Sequence, residues 1–215
     1  MIVVVDYGAA NLVSITRALE AGGAPVVISG EPEAIAAAEG IVLPGVGAAG
    51  AAMDMLRASG ADRALRDAAE QGVPLLGVCL GMQLFFERMA EDSATGLGLL
   101  RGESPMLSSG QKIPHMGWNS LSWIPGAPGT ELFAGLEPGT YGYFVHSYHC
   151  VPQDESITVA WTEYGEPIRA AVVQGRIWGV QFHPEKSGAA GRRMLANWLE
   201  QVRSGTRTVV AEART

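Results

Sequence analysis

From Ile2 to Val5 the chain is apolar without a break, and Asp6-Tyr7-Gly8 ends the run. Consecutive β-branched residues with no polar alternation predict a short strand buried on both faces. Leu12, Ile15 and Leu19 then recur at helical spacing. Asn11 stands where an N-cap belongs, and Gly22-Gly23 where that helix stops. The alternation continues with a second strand at 26–28, a short alanine-rich helix at 31–38 and a third strand at 41–43. Helical patterns follow over 51–56 and 62–71, and 73–78 reads as a fourth strand. The segment 80–90 reads as the helix after it. Strands alternating with helices across short turns predict a doubly wound α/β fold whose sheet is mostly parallel and flanked by helices. Ligands in such sheets bind outside the carboxyl ends of the strands. The loops after Leu43 and Val78 both fall at that edge.

Beyond Ala90 helical periodicity fades, and glycine, proline and aromatic residues become frequent. Short strands are predicted at 117–124, 140–145, 157–162, 168–173 and 177–182. Gln174-Gly175 between the last two has the character of a hairpin turn, so that pair would be antiparallel and the sheet mixed. A closing helix is predicted at 188–203, with Met194, Leu195, Trp198 and Leu199 at helical spacing. Residues 204–215 are mostly polar, lack periodicity and read as a tail. No repeat or linker divides the chain, so 1–203 is expected to be one domain.

Composition narrows the functional classes. With 215 residues the chain is long enough to bury roughly 70% of its unfolded surface without staples. A net charge of −7 argues against non-specific nucleic-acid binding, which needs basic surface. No apolar run nears the roughly 18 residues of a membrane span, and the first residues read as a strand, not as a leader. The cytoplasm is the expected compartment. The two cysteines, Cys79 and Cys150, form no Cys-x-x-Cys pair, so no metal site is expected. One disulfide between them is conceivable, with nothing to suggest secretion.

The chemistry concentrates in three places. Gly77-Val78-Cys79-Leu80-Gly81 joins the fourth strand to the next helix, and the glycines permit a tight turn with close backbone approach. Gly-x-Ser-x-Gly elbows present a serine in this way, and a thiol at a helix N-terminus gains stabilisation of its thiolate. The competing reading makes Cys79 a small buried core residue. Second, His183 and Glu185 end a strand pattern two residues apart, which in a strand puts both on one face. A general base and the carboxylate that orients it are what a cysteine nucleophile needs. Third, Pro44-Gly45-Val46-Gly47-Ala48-Ala49-Gly50 contains Gly-x-Gly-x-x-Gly. As a dinucleotide fingerprint it is misplaced: it follows the third strand, and the positions near 70, where the ribose-binding acidic residue would stand, fall inside a predicted helix. As an oxyanion loop it offers backbone N–H groups to a tetrahedral intermediate. Together the three describe acyl transfer through a thioester. No cofactor is expected in this chain.

These motifs resemble the class I (triad) glutamine amidotransferases. Lys112-Ile113-Pro114-His115-Met116-Gly117-Trp118-Asn119, Tyr143-Phe144-Val145-His146-Ser147-Tyr148 and Pro184-Glu185-Lys186-Ser187 narrow the resemblance. With Asp6-Tyr7-Gly8 and Asn11-Leu12, they are similar to the glutaminase subunits of imidazole glycerol phosphate synthases. The resemblance implies a flavodoxin-like amidotransferase fold and glutamine as substrate. Cys79 would attack the side-chain amide, His183 would carry the proton and Glu185 would hold His183. Gln83, one turn beyond Cys79, would touch substrate or else be a solvated helix residue. Gly45, Val46, Gly47 and the N–H of Leu80 would stabilise the oxyanion. A peptide flip between the two glycines would switch that stabilisation on. The resemblance also implies a heterodimer with a cyclase (β/α)8 barrel. That partner would add the ammonia to a phosphoribulosyl formimino-imidazole carboxamide nucleotide. Its products would be imidazole glycerol phosphate and an aminoimidazole carboxamide ribotide, in histidine biosynthesis. A barrel alone needs about 250 residues, so the second site cannot lie in this chain. Lys112, His115, Trp118, Asn119, Tyr143 and Lys186 would serve the interface and its coupling. Two other readings compete: the glutaminase of a different amidotransferase, and a stand-alone cysteine hydrolase. Ala10 and Ala49 depart from the family pattern, and neither touches the triad.

Overall fold

Strands β1 (Ile2–Val5), β2 (Val26–Ser29), β3 (Gly40–Gly45) and β4 (Leu75–Cys79) alternate with helices α1 (Leu12–Ala21), α2 (Pro32–Ala36), α3 (Ala49–Ser59) and α4 (Ala61–Glu70). A short helix α5 (Leu80–Leu84) leads into β5 (Phe86–Met89) and β6 (Leu100–Ser104). Then come β7 (His115–Ser120), β8 (Tyr141–His146), β9 (Val151–Pro152), β10 (Thr158–Glu163), β11 (Pro167–Gln174) and β12 (Ile177–Val180), and finally α6 (Gly188–Glu212). The computed structural model describes residues 1–8, 12–108 and 110–212. The cap expected at Asn11 and the departure at Ala10 lie outside them.

Seven strands form the central sheet in the order β10-β11-β12-β4-β3-β1-β2. Its middle is parallel, and β11 pairs antiparallel with both β10 and β12. The predicted mixed sheet is therefore present, with the hairpin register joining Gln174 to Ile177. Both faces are covered along β1, β3 and β4, as their unbroken apolar runs required, whereas β2 at the sheet edge is partly exposed. Val3, Val5, Ile41 and Leu43 pack with Ile35, Met53, Leu56 and Leu65 of α2–α4 on one side. Ile2, Val4, Val42 and Leu76 pack with Ile15 and Leu19 of α1 and with Leu195 and Trp198 of α6 on the other. Each fully buried Val, Leu or Ile stabilises by about 1.5–3 kcal/mol. The strands are thus held by period-two sorting of neighbours into opposite layers.

The largest departure from the sequence reading follows Cys79. The expected helix over 80–90 stops at Leu84, after five residues, and β5 takes over. The carbonyls of Leu84, Phe85, Phe86 and Glu87 accept the N–H groups of Leu97, Leu100, Gly98 and Gly96. Long-range pairing has captured the acceptors that a continuing helix would use. A three-stranded sheet, β5-β6-β9, results; β6 and β9 were not anticipated. The strand expected at 117–124 is shifted to His115–Ser120, where it pairs with β8. The helix expected to end at Arg203 runs on to Glu212, through most of the segment read as a tail. No helix among the described residues is long and apolar enough to cross a membrane.

The glycines beside Cys79 are dictated by crowding. A Cβ on Gly77 would lie 2.6 Å from the Phe85 ring, and one on Gly81 only 1.8 Å from the Leu43 carbonyl oxygen. Gly81→Ala is expected to lower stability by more than about 2 kcal/mol, because backbone cannot retreat as a side chain can. An earlier midpoint in urea denaturation would register this; an unchanged midpoint would contradict the packing.

Candidate active site

Three neighbouring strands deliver their carboxyl ends to one place. β3 and β4 pair in parallel as far as Gly45 opposite Cys79. β12 lies on the other side of β4, with Val180 opposite Val78. The glycine loop, the thiol and the chain leading to His183 therefore emerge side by side. Cys79 sits at φ 56, ψ −111, a conformation that non-glycine residues rarely adopt. That strain turns the chain from strand into helix in one residue and leaves the side chain at the sheet edge. Leu80 opens α5, so its N–H has no acceptor inside the helix.

His183 does not reach Glu185 along a strand. β12 ends at Val180, and Pro184–Lys186 forms a 3-10 turn. Within that turn His183 Nδ1 and Glu185 Oε1 are 2.8 Å apart, both side chains 4% exposed. The turn is stapled to β8. His183 N–H donates to the Tyr143 carbonyl at 2.8 Å. Ser187 Oγ donates to the His183 carbonyl at 2.7 Å and accepts the Tyr143 N–H at 3.0 Å. The other ring nitrogen, Nε2, is buried without a hydrogen-bond partner. Burial pushes the imidazolium down, but Cys79 and Glu185 outweigh it and raise the His183 pKa to about 9. The sulfur itself donates to the Val145 carbonyl and accepts from Gln181 Nε2, each at 3.7 Å.

A cavity of about 300 Å³ opens beside the sulfur, within the usual range for small-molecule sites. Val46, Gly47, Leu80, Gln83 and Glu91 line it. Gln83 is 5% exposed, so it is not a solvated helix residue. Its amide donates to the Tyr148 carbonyl at 2.8 Å and to Gln181 Oε1 at 3.1 Å. Gly45 pairs opposite Cys79, and Tyr7 Oη holds the neighbouring Pro44 carbonyl at 2.9 Å. Burial, then the charge of Cys79, raises the Tyr7 pKa, so this donor stays protonated. Glu91 accepts the Ala49 N–H at 2.8 Å and so fastens the start of α3 beyond the glycine loop.

The remaining candidates lie on or beside the β7–β8 pair. Trp118 is opposite Tyr143 in register, and their rings meet edge to face at 5.8 Å. Lys186 Nζ lies 5.8 Å from the centre of the Tyr143 ring. His115 and Asn119 sit on the same strand as Trp118. Lys112 is exposed in the loop before β7, its carbonyl accepting from Tyr164 Oη at 2.6 Å. The second cysteine, Cys150, is buried and free, as is Cys79, so no disulfide joins them. Sequence reasoning assigned no role to Gln181, Glu91 or the carbonyls of Val145 and Tyr148. Backbone acceptors carry no sequence signal, and Gln181 falls within the strand predicted at 177–182 with nothing to set it apart.

Comparison with known proteins places the chain in a family. The family pattern of the glutamine amidotransferases, class I, matches residues 3–202. The imidazole glycerol phosphate synthase subunit HisH of Moorella thermoacetica is 47% identical over 204 residues, covering 94% of this chain and 95% of that protein. The subunit HisH of Geobacillus kaustophilus is 46% identical, covering 93% of this chain and 96% of its own length. A crystal structure of a glutamine amidotransferase superposes with a TM-score of 0.74 at 20% identity, covering 93% of this chain and 98% of the other; at that identity it speaks for the fold. With a family pattern spanning nearly its whole length, and relatives of this closeness along it, the chain belongs to the class I glutamine amidotransferases, in the branch of the HisH subunits of imidazole glycerol phosphate synthase.

Proposed function

We propose that this chain hydrolyses glutamine to glutamate and ammonia through a Cys79–His183–Glu185 triad. It works in the cytoplasm as the glutaminase half of a heterodimer, and residues 1–203 serve as one amidotransferase unit. The observation that carries the reading is the elbow at Cys79, φ 56, beside the buried His183–Glu185 pair. The Cys79 thiolate attacks the side-chain carbonyl carbon of glutamine. The resulting oxyanion takes hydrogen bonds from the N–H of Leu80 and from the backbone of Gly45, Val46 and Gly47. As the intermediate collapses, the C–N bond breaks and the nitrogen leaves as ammonia with a proton from His183. A water then attacks the thioester and gives a proton back to His183, and glutamate departs from the restored sulfur. Glu185 holds the ring and its charge through both steps. Glu91, which lines the cavity, offers a carboxylate to the α-ammonium of the substrate.

The ammonia passes to a cyclase (β/α)8 barrel, which forms imidazole glycerol phosphate and an aminoimidazole carboxamide ribotide in histidine biosynthesis. The HisH relatives support this over a stand-alone cysteine hydrolase. So does the outward face of the β7–β8 pair, where Met116 and Trp118 are 62% and 56% exposed beside the site. Tyr143, with Trp118 and Lys186 against its ring and the triad turn on its backbone, couples that face to His183; Lys112 flanks it. Glutamine labelled at its side-chain amide nitrogen tests the transfer. In the presence of excess unlabelled ammonium, the label is expected in the imidazole product. Equilibration with the unlabelled pool would contradict direct passage.

Gly47 has φ +91, and a Cβ there would meet nothing within 4 Å. A substitution therefore limits backbone freedom without crowding. Gly47→Ala is expected to lower partner-stimulated glutamate release about tenfold, through loss of oxyanion donors when the peptide cannot turn. Unchanged stimulation would count against a loop that switches.

A further inference from the structure

His115 and His146 are directly opposed across β7 and β8, both almost fully buried, with His115 Nδ1 and His146 Nε2 2.9 Å apart. The surrounding acceptors leave this pair one proton arrangement. His146 Nδ1 meets the Tyr148 carbonyl at 2.8 Å, and a carbonyl only accepts, so His146 is protonated at Nδ1. Its Nε2 is then an acceptor, and His115 donates from Nδ1. That leaves His115 Nε2 to accept, and Asn119 Nδ2 faces it at 3.3 Å. The orientation of Asn119 is set independently. Its Nδ2 donates to the Glu163 carbonyl at 2.8 Å, and its Oδ1 accepts the Ser120 N–H at 2.9 Å. Every member donates in the same direction, from β7 towards Tyr148. Stacking on Phe144 and Tyr164, at 4.7 and 4.0 Å, keeps the His115 ring in plane.

The chain does not end at Tyr148. The same carbonyl accepts from Gln83 Nε2, Gln83 donates to Gln181 Oε1, and Gln181 Nε2 donates to the Cys79 sulfur. Since its oxygen is occupied by Gln83, Gln181 can turn only its N–H groups to the sulfur. The 145–148 segment thus carries two atoms bearing on the nucleophile: the Val145 carbonyl, which accepts from the thiol, and the Tyr148 carbonyl, which anchors the amide pair.

We propose that His115 and His146 are positioning residues for the glutaminase reaction, their one-directional hydrogen-bond chain fixing the Tyr148 carbonyl and through it the Gln83–Gln181 pair that holds the Cys79 sulfur. The inference rests on the glutaminase reading above. Such a chain works only while both rings are neutral. Burial pushes His115 down to about 4. Burial likewise pushes His146 down to about 3; its hydrogen bond to Tyr148 opposes this, and the charges of His115, His149 and His183 reinforce it. Because the two rings face each other in register, a slide of β7 along β8 acts on their contact directly. The docking β7–β8 pair therefore has a path to the sulfur separate from the one through Tyr143 and His183.

The first test is nitrogen NMR of the imidazoles in the wild-type complex with its barrel partner near neutral pH. Both rings are expected to be protonated at Nδ1 and bare at Nε2; an Nε2–H tautomer or a cation at either would overturn the proposal. The second compares His146→Phe, which keeps a ring without donor or acceptor, with His146→Gln, which has one of each. In the same complex, His146→Phe is expected to lower kcat/KM for glutamine about tenfold, and His146→Gln to recover most of it. Equal activity in both variants, whether lost or kept, would overturn the proposal. If His146→Phe does not fold, His115→Phe against His115→Gln makes the same comparison. Failure of the wild-type complex to hydrolyse glutamine would remove the glutaminase reading, and this inference with it. Wild-type hydrolysis with indifferent histidine variants would remove this inference alone.

Discussion

Cys79→Ala is expected to lower glutamine hydrolysis by about ten-thousandfold or more, because no other group can form the thioester. Cys150 is not a substitute: it is fully buried, and burial drives its pKa well up. The fold should survive. Alanine keeps the strained backbone at φ 56 and loses only one buried sulfur, a cost of about 1 kcal/mol. Cys79→Gly gives the matching control. It is equally inactive, yet it releases the strain of a non-glycine residue, worth about 1–3 kcal/mol. It should therefore melt above Cys79→Ala. A glycine variant no more stable than the alanine variant would argue that the elbow is not strained. Residual activity near wild type in either would dismiss Cys79 as the nucleophile.

Glu185→Gln should be the second largest effect, about a hundredfold to ten-thousandfold in kcat, by analogy with removing the carboxylate behind a catalytic histidine. Its signature lies in pH. His183 holds its proton to about 9, against an ordinary value of 6.5. The imidazolium is needed to protonate departing ammonia, so wild-type kcat should fall as pH rises through about 9. In Glu185→Gln that alkaline limb should move down towards 6.5, because a neutral amide no longer favours the cation. Following kcat avoids the ionisation of free glutamine. The stability linkage has the same sign. A pKa raised on folding contributes stability that is fully present below 6.5 and is lost as pH rises through about 9. Glu185→Gln should flatten that loss. An alkaline limb unmoved by the substitution would contradict the role of Glu185.

Local chemistry carried much of this into the sequence. The β1–β4 strands were legible because each is a short apolar run closed by turn residues; β1, β3 and β4 are buried throughout, whereas β2, at the sheet edge, is partly exposed. The elbow was legible because Gly77 and Gly81 bracket a single cysteine, and the structure supplies the reason in Phe85 and the Leu43 carbonyl. Failure came where partners distant in sequence decide. The residues after Leu84 have helix-like apolar spacing, yet the 96–100 segment takes their carbonyls and makes β5. The His183–Glu185 pair was found from the spacing expected of a strand, whereas a proline-started 3-10 turn brings the two together. Gln83 lines the cavity beside Cys79, but its partners, Tyr148 and Gln181, are 65 and 98 residues away. Nothing in a one-dimensional pattern announces a bond to a carbonyl.

The central claim is a glutaminase that answers to its partner. It is tested most directly by measuring glutamate released from glutamine by this chain alone, with the cyclase barrel, and with the barrel plus its nucleotide ligand. Release should be low for the chain alone, rise strongly with the liganded barrel and vanish with Cys79→Ala. Full release without any partner would contradict the coupling; no release with the liganded barrel would contradict the glutaminase itself.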